Sequence, residues 1–208
     1  MANSSTKIKT TPSKASVLIQ NQWSSEDFII FLKCFEFLYE YHDAMIQLQI
    51  ATESEKNLKS QDKYHTASSH LAEILLLRNL DRFNYDPLDP ITNRRDLPYK
   101  SSPFATELKL TGITYNSPGK LDFLGLGEIF NTIKEIIFQY VPNEKEKVSI
   151  ELLKLKKIES EIKILKRLGY SEMEIRSFMH KKDIASSQLS LLEQKNKIKD
   201  LEIVNHSN

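Results

Sequence analysis

Between Glu26 and Ile50 the chain runs without Gly or Pro, and its polar residues fall mainly in one row, Lys33, Glu36, Glu40, Asp43 and Gln47. Recurrence at three and four residues places that row on a single solvated edge of an α-helix. The rest of the circumference is apolar or aromatic and must be covered by other parts of the molecule or by a second copy. At ~1.5 Å per residue the helix is roughly 37 Å long, too long for a two- or three-stranded hairpin sheet to shield alone. The pattern therefore predicts further long helices lying along it. Ser24 supplies the N-cap, with Asp27 three residues on as a short-armed capping box. In Ser16–Trp23 the odd positions Val17, Ile19 and Trp23 share one face and Leu18 takes the other, which predicts a half-buried strand.

After Ile50 the chain turns polar, and Leu71, Ile74, Leu75 and Arg78 keep a helical spacing that predicts a second helix over 66–80. Pro87, Pro90, Pro98 and Pro103 then mark an extended excursion over 81–103, either a binding loop or an insertion. The β pattern is clearest over 107–123. Leu108 and Leu110 alternate on one phase, Gly112 interrupts, and Ile113 and Tyr115 resume on the other, as an extra residue at a β-bulge requires. Ser117-Pro118-Gly119-Lys120 suits a type II turn, and Leu121 and Phe123 open the returning strand. Gly125 and Gly127 read as a flexible joint before an amphipathic helix over 126–140, whose apolar face is Leu126, Ile129, Phe130, Ile133, Ile136, Ile137 and Tyr140.

Pro142 allows either a kinked continuation or a fresh helix up to Leu168. Val148, Leu155 and Ile162 are seven apart, with Ile158 and Leu165 filling the intermediate positions and only Glu151 departing, a run of under three heptads and too short to establish a coiled coil. Leu168, Gly169 and Ser171 read as a helix corner, with Ser171 and Glu174 as a full capping box. Ile175, Phe178 and Met179 form the inner face of a short helix. A last helix is predicted over 184–204, with Ile184, Leu191 and Ile198 at heptad spacing and Leu201 beside them. The fold class is thus α+β: a small antiparallel sheet on a long central helix in residues 16–141, preceded by a disordered arm (1–15). An all-helical extension (142–208) follows.

Composition narrows the function. The 208 residues carry 29 Lys and Arg against 28 Asp and Glu, with 40% apolar residues, so no polyanionic partner is demanded and a core is affordable in size. Cys34, the single cysteine, lies among apolar helix residues and excludes an intrachain disulfide. The polar start lacks the apolar stretch of a secretory signal, and no window suits a membrane span, so the cytoplasm is the expected compartment.

Candidate chemistry is sparse. His65 and His70 are five apart, roughly 140° around a helix, and have no further ligand at metal-binding spacing. His42 stands two turns from Cys34, about 12 Å along the axis, too far for a nucleophile and base pair. Gly125-Leu126-Gly127 lacks the Lys and the third Gly of a phosphate loop. No catalytic, metal or cofactor constellation is read, and the expectation is a non-enzymatic protein that takes no cofactor.

Two resemblances add to this. The run Leu165-Lys166-Arg167-Leu168-Gly169-Tyr170-Ser171-Glu172-Met173-Glu174-Ile175 resembles the helix corner of MerR-type regulators, which leads into a dimerising helix. The family's DNA-reading helix-turn-helix and basic wing are missing before it. More broadly, Ser25-Glu26-Asp27-Phe28 and Gly112-Ile113-Thr114-Tyr115-Asn116-Ser117-Pro118-Gly119 are similar to a set of small bacterial α+β proteins of uncharacterised role. That likeness implies an accessory or regulatory bacterial protein. The expected function is an oligomerising or partner-binding module using the apolar seam of Leu155, Ile158, Ile162, Leu165, Ile184, Leu191, Ile198 and Leu201, unless those helices fold back on each other. The partner is a second copy or another protein. The alternatives are a DNA-binding regulator, with nucleic acid not favoured, and a membrane-surface protein that uses the 126–140 face.

Overall fold

The computed structural model describes residues 12–57, 108–114, 118–138, 144–167 and 170–205. The predicted helix over 66–80, the excursion over 81–103, and His65, His70 and Pro142 lie outside them. In chain order the elements are β1 (Pro12–Ile19), α1 (Ser25–Asn57), β2 (Lys109–Thr114) and β3 (Gly119–Leu126), then α2 (Gly127–Ile137), α3 (Glu144–Arg167), α4 (Glu172–Gln194) and β4 (Ile198–Asn205). The strands form one sheet in the order β2-β3-β1-β4, every pairing antiparallel. The architecture is α+β, with a small antiparallel sheet packed on a long central helix.

The predicted hairpin is present, and its register shifts between Leu110 and Gly112, where the interrupted alternation placed a bulge. The turn at Ser117 lies partly outside the described residues. β1 starts at Pro12, inside the stretch whose composition suggested a disordered arm. It is flanked on both sides, so its backbone is satisfied by β3 and β4, and the small side chains of Ser13, Ala15 and Ser16 are buried. Two cross-sheet rows, Leu121-Val17-Leu201 and Phe123-Ala15-Ile203, face the helices. Trp23 is past the strand end, in a connection where its indole N–H donates to the carbonyls of Gln20 and Lys197 at 3.1 and 3.2 Å.

α1 extends to Asn57, about 50 Å at the α-helical rise. The Ser24–Asp27 cap forms as read: each backbone N–H meets the other's side chain, at 2.7 and 3.1 Å. Consecutive residues Phe37, Leu38 and Tyr39 are all buried, so the middle of this helix is enclosed all round. Phe35 stacks on Phe123 of β3 at 4.7 Å between ring centroids. The polar row is less solvated than its spacing suggested, for Asp43 is buried.

Strand β3 passes directly into α2, and Gly125 belongs to the strand. A Cβ at that position would sit 2.7 Å from the Tyr39 hydroxyl and 2.9 Å from the Phe130 ring. The glycine is a packing requirement rather than a loose joint, since it lets Tyr39 accept a 2.7 Å hydrogen bond from the Leu126 N–H. α2 buries Ile129, Phe130, Ile133 and Ile137. Phe138 leaves the helical region at φ −95° and ψ 64°, so α3 is a fresh helix and not a continuation.

The largest departure is at the C-terminal end. α4 is one helix from Glu172 to Gln194, and residues 198–204, predicted as helix, belong to β4. Asn196 takes φ 54°. The Lys197 N–H donates to the Leu192 carbonyl at 2.9 Å and the Asn196 N–H to Glu193 at 2.7 Å, the paired bonds of a Schellman end with Asn in the left-handed position. β4 then pairs with β1, so residues expected in a helical extension complete the sheet of the core.

Candidate functional site

The predicted seam does not survive as one surface. Leu165 is buried, and Ile158 and Ile162 are half-buried on the same face of α3. Ile198 and Leu201 sit on β4 and are buried in the core, so they are withdrawn as contact residues: the strand they occupy has no helical face. Ile184 is half-buried, and Leu191 is partly exposed near the end of α4. Only Leu155, at 56% exposure, stands well clear, and Leu152 one turn before it is 54% exposed.

Where α3 meets α1 and α4, the structure brings together a polar cluster that the sequence did not single out. Tyr41 of α1 donates its hydroxyl to Glu161 Oε2 of α3 at 2.9 Å. Lys182 Nζ of α4 donates to the same oxygen at 2.7 Å and lies 4.9 Å from the centre of the Tyr41 ring. The Tyr41 hydroxyl also approaches Met179 Sδ at 3.6 Å. Both charged side chains are largely withdrawn from water, so the pair is held by geometry and satisfied hydrogen bonds rather than by Coulomb attraction alone. Burial and the Glu161 carboxylate push the Tyr41 phenol above its ordinary range, which keeps it a neutral donor.

Next to this cluster, His42 and Ile46 of α1, Thr132 of α2, and Lys157 and Ser160 of α3 line a cavity of about 140 Å³. His42 is buried, and among the described residues its Nε2 has no hydrogen-bond partner. Burial, reinforced by the charges of Lys182 and Lys157, holds its imidazole well below the usual histidine pKa and therefore neutral. The signal for this region was present in Glu161, which lies on the same stripe of α3 as Ile158, Ile162 and Leu165. An acidic residue on a core-facing stripe requires a partner.

The Cys34 thiol is buried in the core, as its neighbours predicted. The apolar face of α2, considered for a lipid surface, is turned into the core. Among the described residues no helix is long and apolar enough to cross a membrane. The helix corner carries its full capping box, with Ser171 Oγ accepting from the Glu174 N–H at 3.3 Å and Glu174 Oε2 accepting from the Ser171 N–H at 2.8 Å. The dimerising helix that the MerR likeness implied over 184–204 is replaced by the end of α4 and by β4. Compared with protein family models, with curated proteins and with solved structures, the chain finds no match in any of the three.

Proposed function

We propose that this protein is a non-enzymatic association module that self-assembles through the outer turns of α3. The observation that carries the reading is the pair Leu152 and Leu155, one helical turn apart and each more than half exposed. They continue the stripe that Ile158, Ile162 and Leu165 turn into the core. Single exposed leucines are ordinary. Two on one face, next to a helix segment that is already seated, form the beginning of a patch that a second copy covers. Burying a leucine side chain contributes about 1.5–3 kcal/mol relative to leaving it in water, so two from each copy make a modest, reversible contact. The bacterial cytoplasmic setting rests on the sequence resemblance and on the single cysteine.

Replacing both residues, Leu152→Glu with Leu155→Glu, tests the assignment. Sedimentation velocity is expected to show a self-associating wild type and a monomeric double variant whose far-UV circular dichroism is unchanged. A double variant that associates as strongly as the wild type removes α3 as the contact.

A further inference from the structure

We propose that the cavity between α1, α2 and α3 binds a small carboxylate with a short aliphatic tail, and that an amino acid fits it better than the corresponding acid without the ammonium group. This site is separate from the exposed leucines and does not depend on association. His42 is 5% exposed, and among the described residues its Nε2 lines up with no acceptor or donor although the side chain borders the cavity. A buried ring nitrogen without a partner is destabilising, so the cavity is completed by a group that hydrogen-bonds to it.

The surroundings define what that group is. Lys182 is engaged by Glu161, which leaves Lys157 as the cation at the cavity, and among the described residues Lys157 makes no ion pair. Both lysines act on His42 as positive charges, and they depress its proton affinity in addition to the larger effect of burial. With its proton on Nε2, the neutral His42 imidazole joins the Lys157 ammonium and the Ser160 hydroxyl as three donors around one space, the complement of a carboxylate. The opposite character is also present. Glu128 borders the same cavity and is likewise in no ion pair among the described residues, so an ammonium group on the ligand has a partner. Met45, Ile46 and Ile164 supply an apolar wall for a short tail, and the volume admits nothing larger than a small metabolite.

Leucine and isocaproate share the tail and the carboxylate and differ in the ammonium group, so they are the two probes. Titration calorimetry and ligand-detected NMR on the full chain are expected to show saturable binding of leucine, with isocaproate weaker. Lys157→Met should weaken both by about tenfold or more. Glu128→Gln should weaken leucine alone, bringing it down to isocaproate. Both substitutions are at exposed positions, and unchanged melting temperatures in the absence of ligand establish that the variants fold. Saturable binding of neither probe overturns the proposal, as does binding that survives Lys157→Met undiminished. Equal binding of the two probes overturns the preference for an amino acid and leaves the carboxylate site standing.

Discussion

The two halves of α3 have similar composition and opposite fates. From Ile158 to Leu165 the helix turns its stripe into the core: Leu165 is 2% exposed, and Glu161 is held by Tyr41 and Lys182 from two other helices. One to two turns earlier, Leu152 and Leu155 face water. The difference does not lie in the periodicity, which runs through both halves. It lies in what stands opposite: α1 and α4 converge on the second half, and no described element covers the leucines of the first. An apolar stripe specifies a face that needs burial, and the neighbouring elements decide whether the chain buries it by itself.

The comparison breaks first at Glu161. Glu161→Ala removes the carboxylate oxygen that Lys182 and the Tyr41 hydroxyl share inside the protein, and a loss of about 3–5 kcal/mol in denaturant unfolding is expected. Leu165→Ala should cost about 2–5 kcal/mol through the cavity it opens. In the dissociated chain, below the concentration of self-association, the same change at Leu155 should stay within about 0.5 kcal/mol, as at other exposed surface positions. Equal costs at the two leucines would contradict the division of the helix. Gly125→Ala, outside α3, measures how tightly the enclosed side of α1 is packed. Its Cβ would lie closer than van der Waals contact to Tyr39 and Phe130, and overpacking of this kind costs about 1–3 kcal/mol, read as a lowered melting temperature.

Acid gives the smallest and most graded effect. His42, facing the seated half of α3, binds its proton less readily in the folded chain than the ordinary 6.5 because of burial and the charges of Lys182 and Lys157. The unfolded chain then holds more protons, so stability falls as pH drops below 6.5 toward the folded pKa. Asp122 responds at lower pH. Burial raises its pKa, but hydrogen bonds from Ser16, Lys120 and Lys14 outweigh that and leave it below the usual 3.8. Its contribution is present above 3.8 and is lost as pH falls through the folded value. Asp27 behaves alike, with burial overcome by Ser24 and Lys197. Unfolding followed against pH should decline in these two stages, and His42→Phe should flatten the first.

Local signals made much of the fold legible, and long-range pairing hid the rest. Ser24 with Asp27 and Ser171 with Glu174 announced two helix starts, and Gly112 announced the β2 bulge. β4 was missed because of a bulge of its own. Its register against β1 shifts between Leu18 and Ile19, where Ile19 pairs with Ile198 and Leu18 with Asp200, so Lys199 is the extra residue. That insertion brings Ile198 and Leu201 to the same buried face at a spacing of three, which in a sequence reads as helix. Asn196 was the available correction, as a residue suited to the left-handed end of a helix. The strand is also held from the side, where Lys134 Nζ donates to the Leu201 carbonyl at 2.8 Å and the Leu201 N–H donates to Asp200 at 2.7 Å. Both main-chain groups of Leu201 are thereby occupied, which closes that point of the sheet edge to another strand. The Tyr41–Glu161 bond joins residues 120 apart in sequence, and no local pattern encodes such a distance.

Self-association through α3 is tested most directly by the mass of the wild-type chain in solution. Light scattering across the micromolar range is predicted to show an average mass that rises with concentration from 24.1 kDa toward twice that value. A mass fixed at the single-chain value throughout would contradict it, because the uncovered leucines of α3 would then have no second copy to meet.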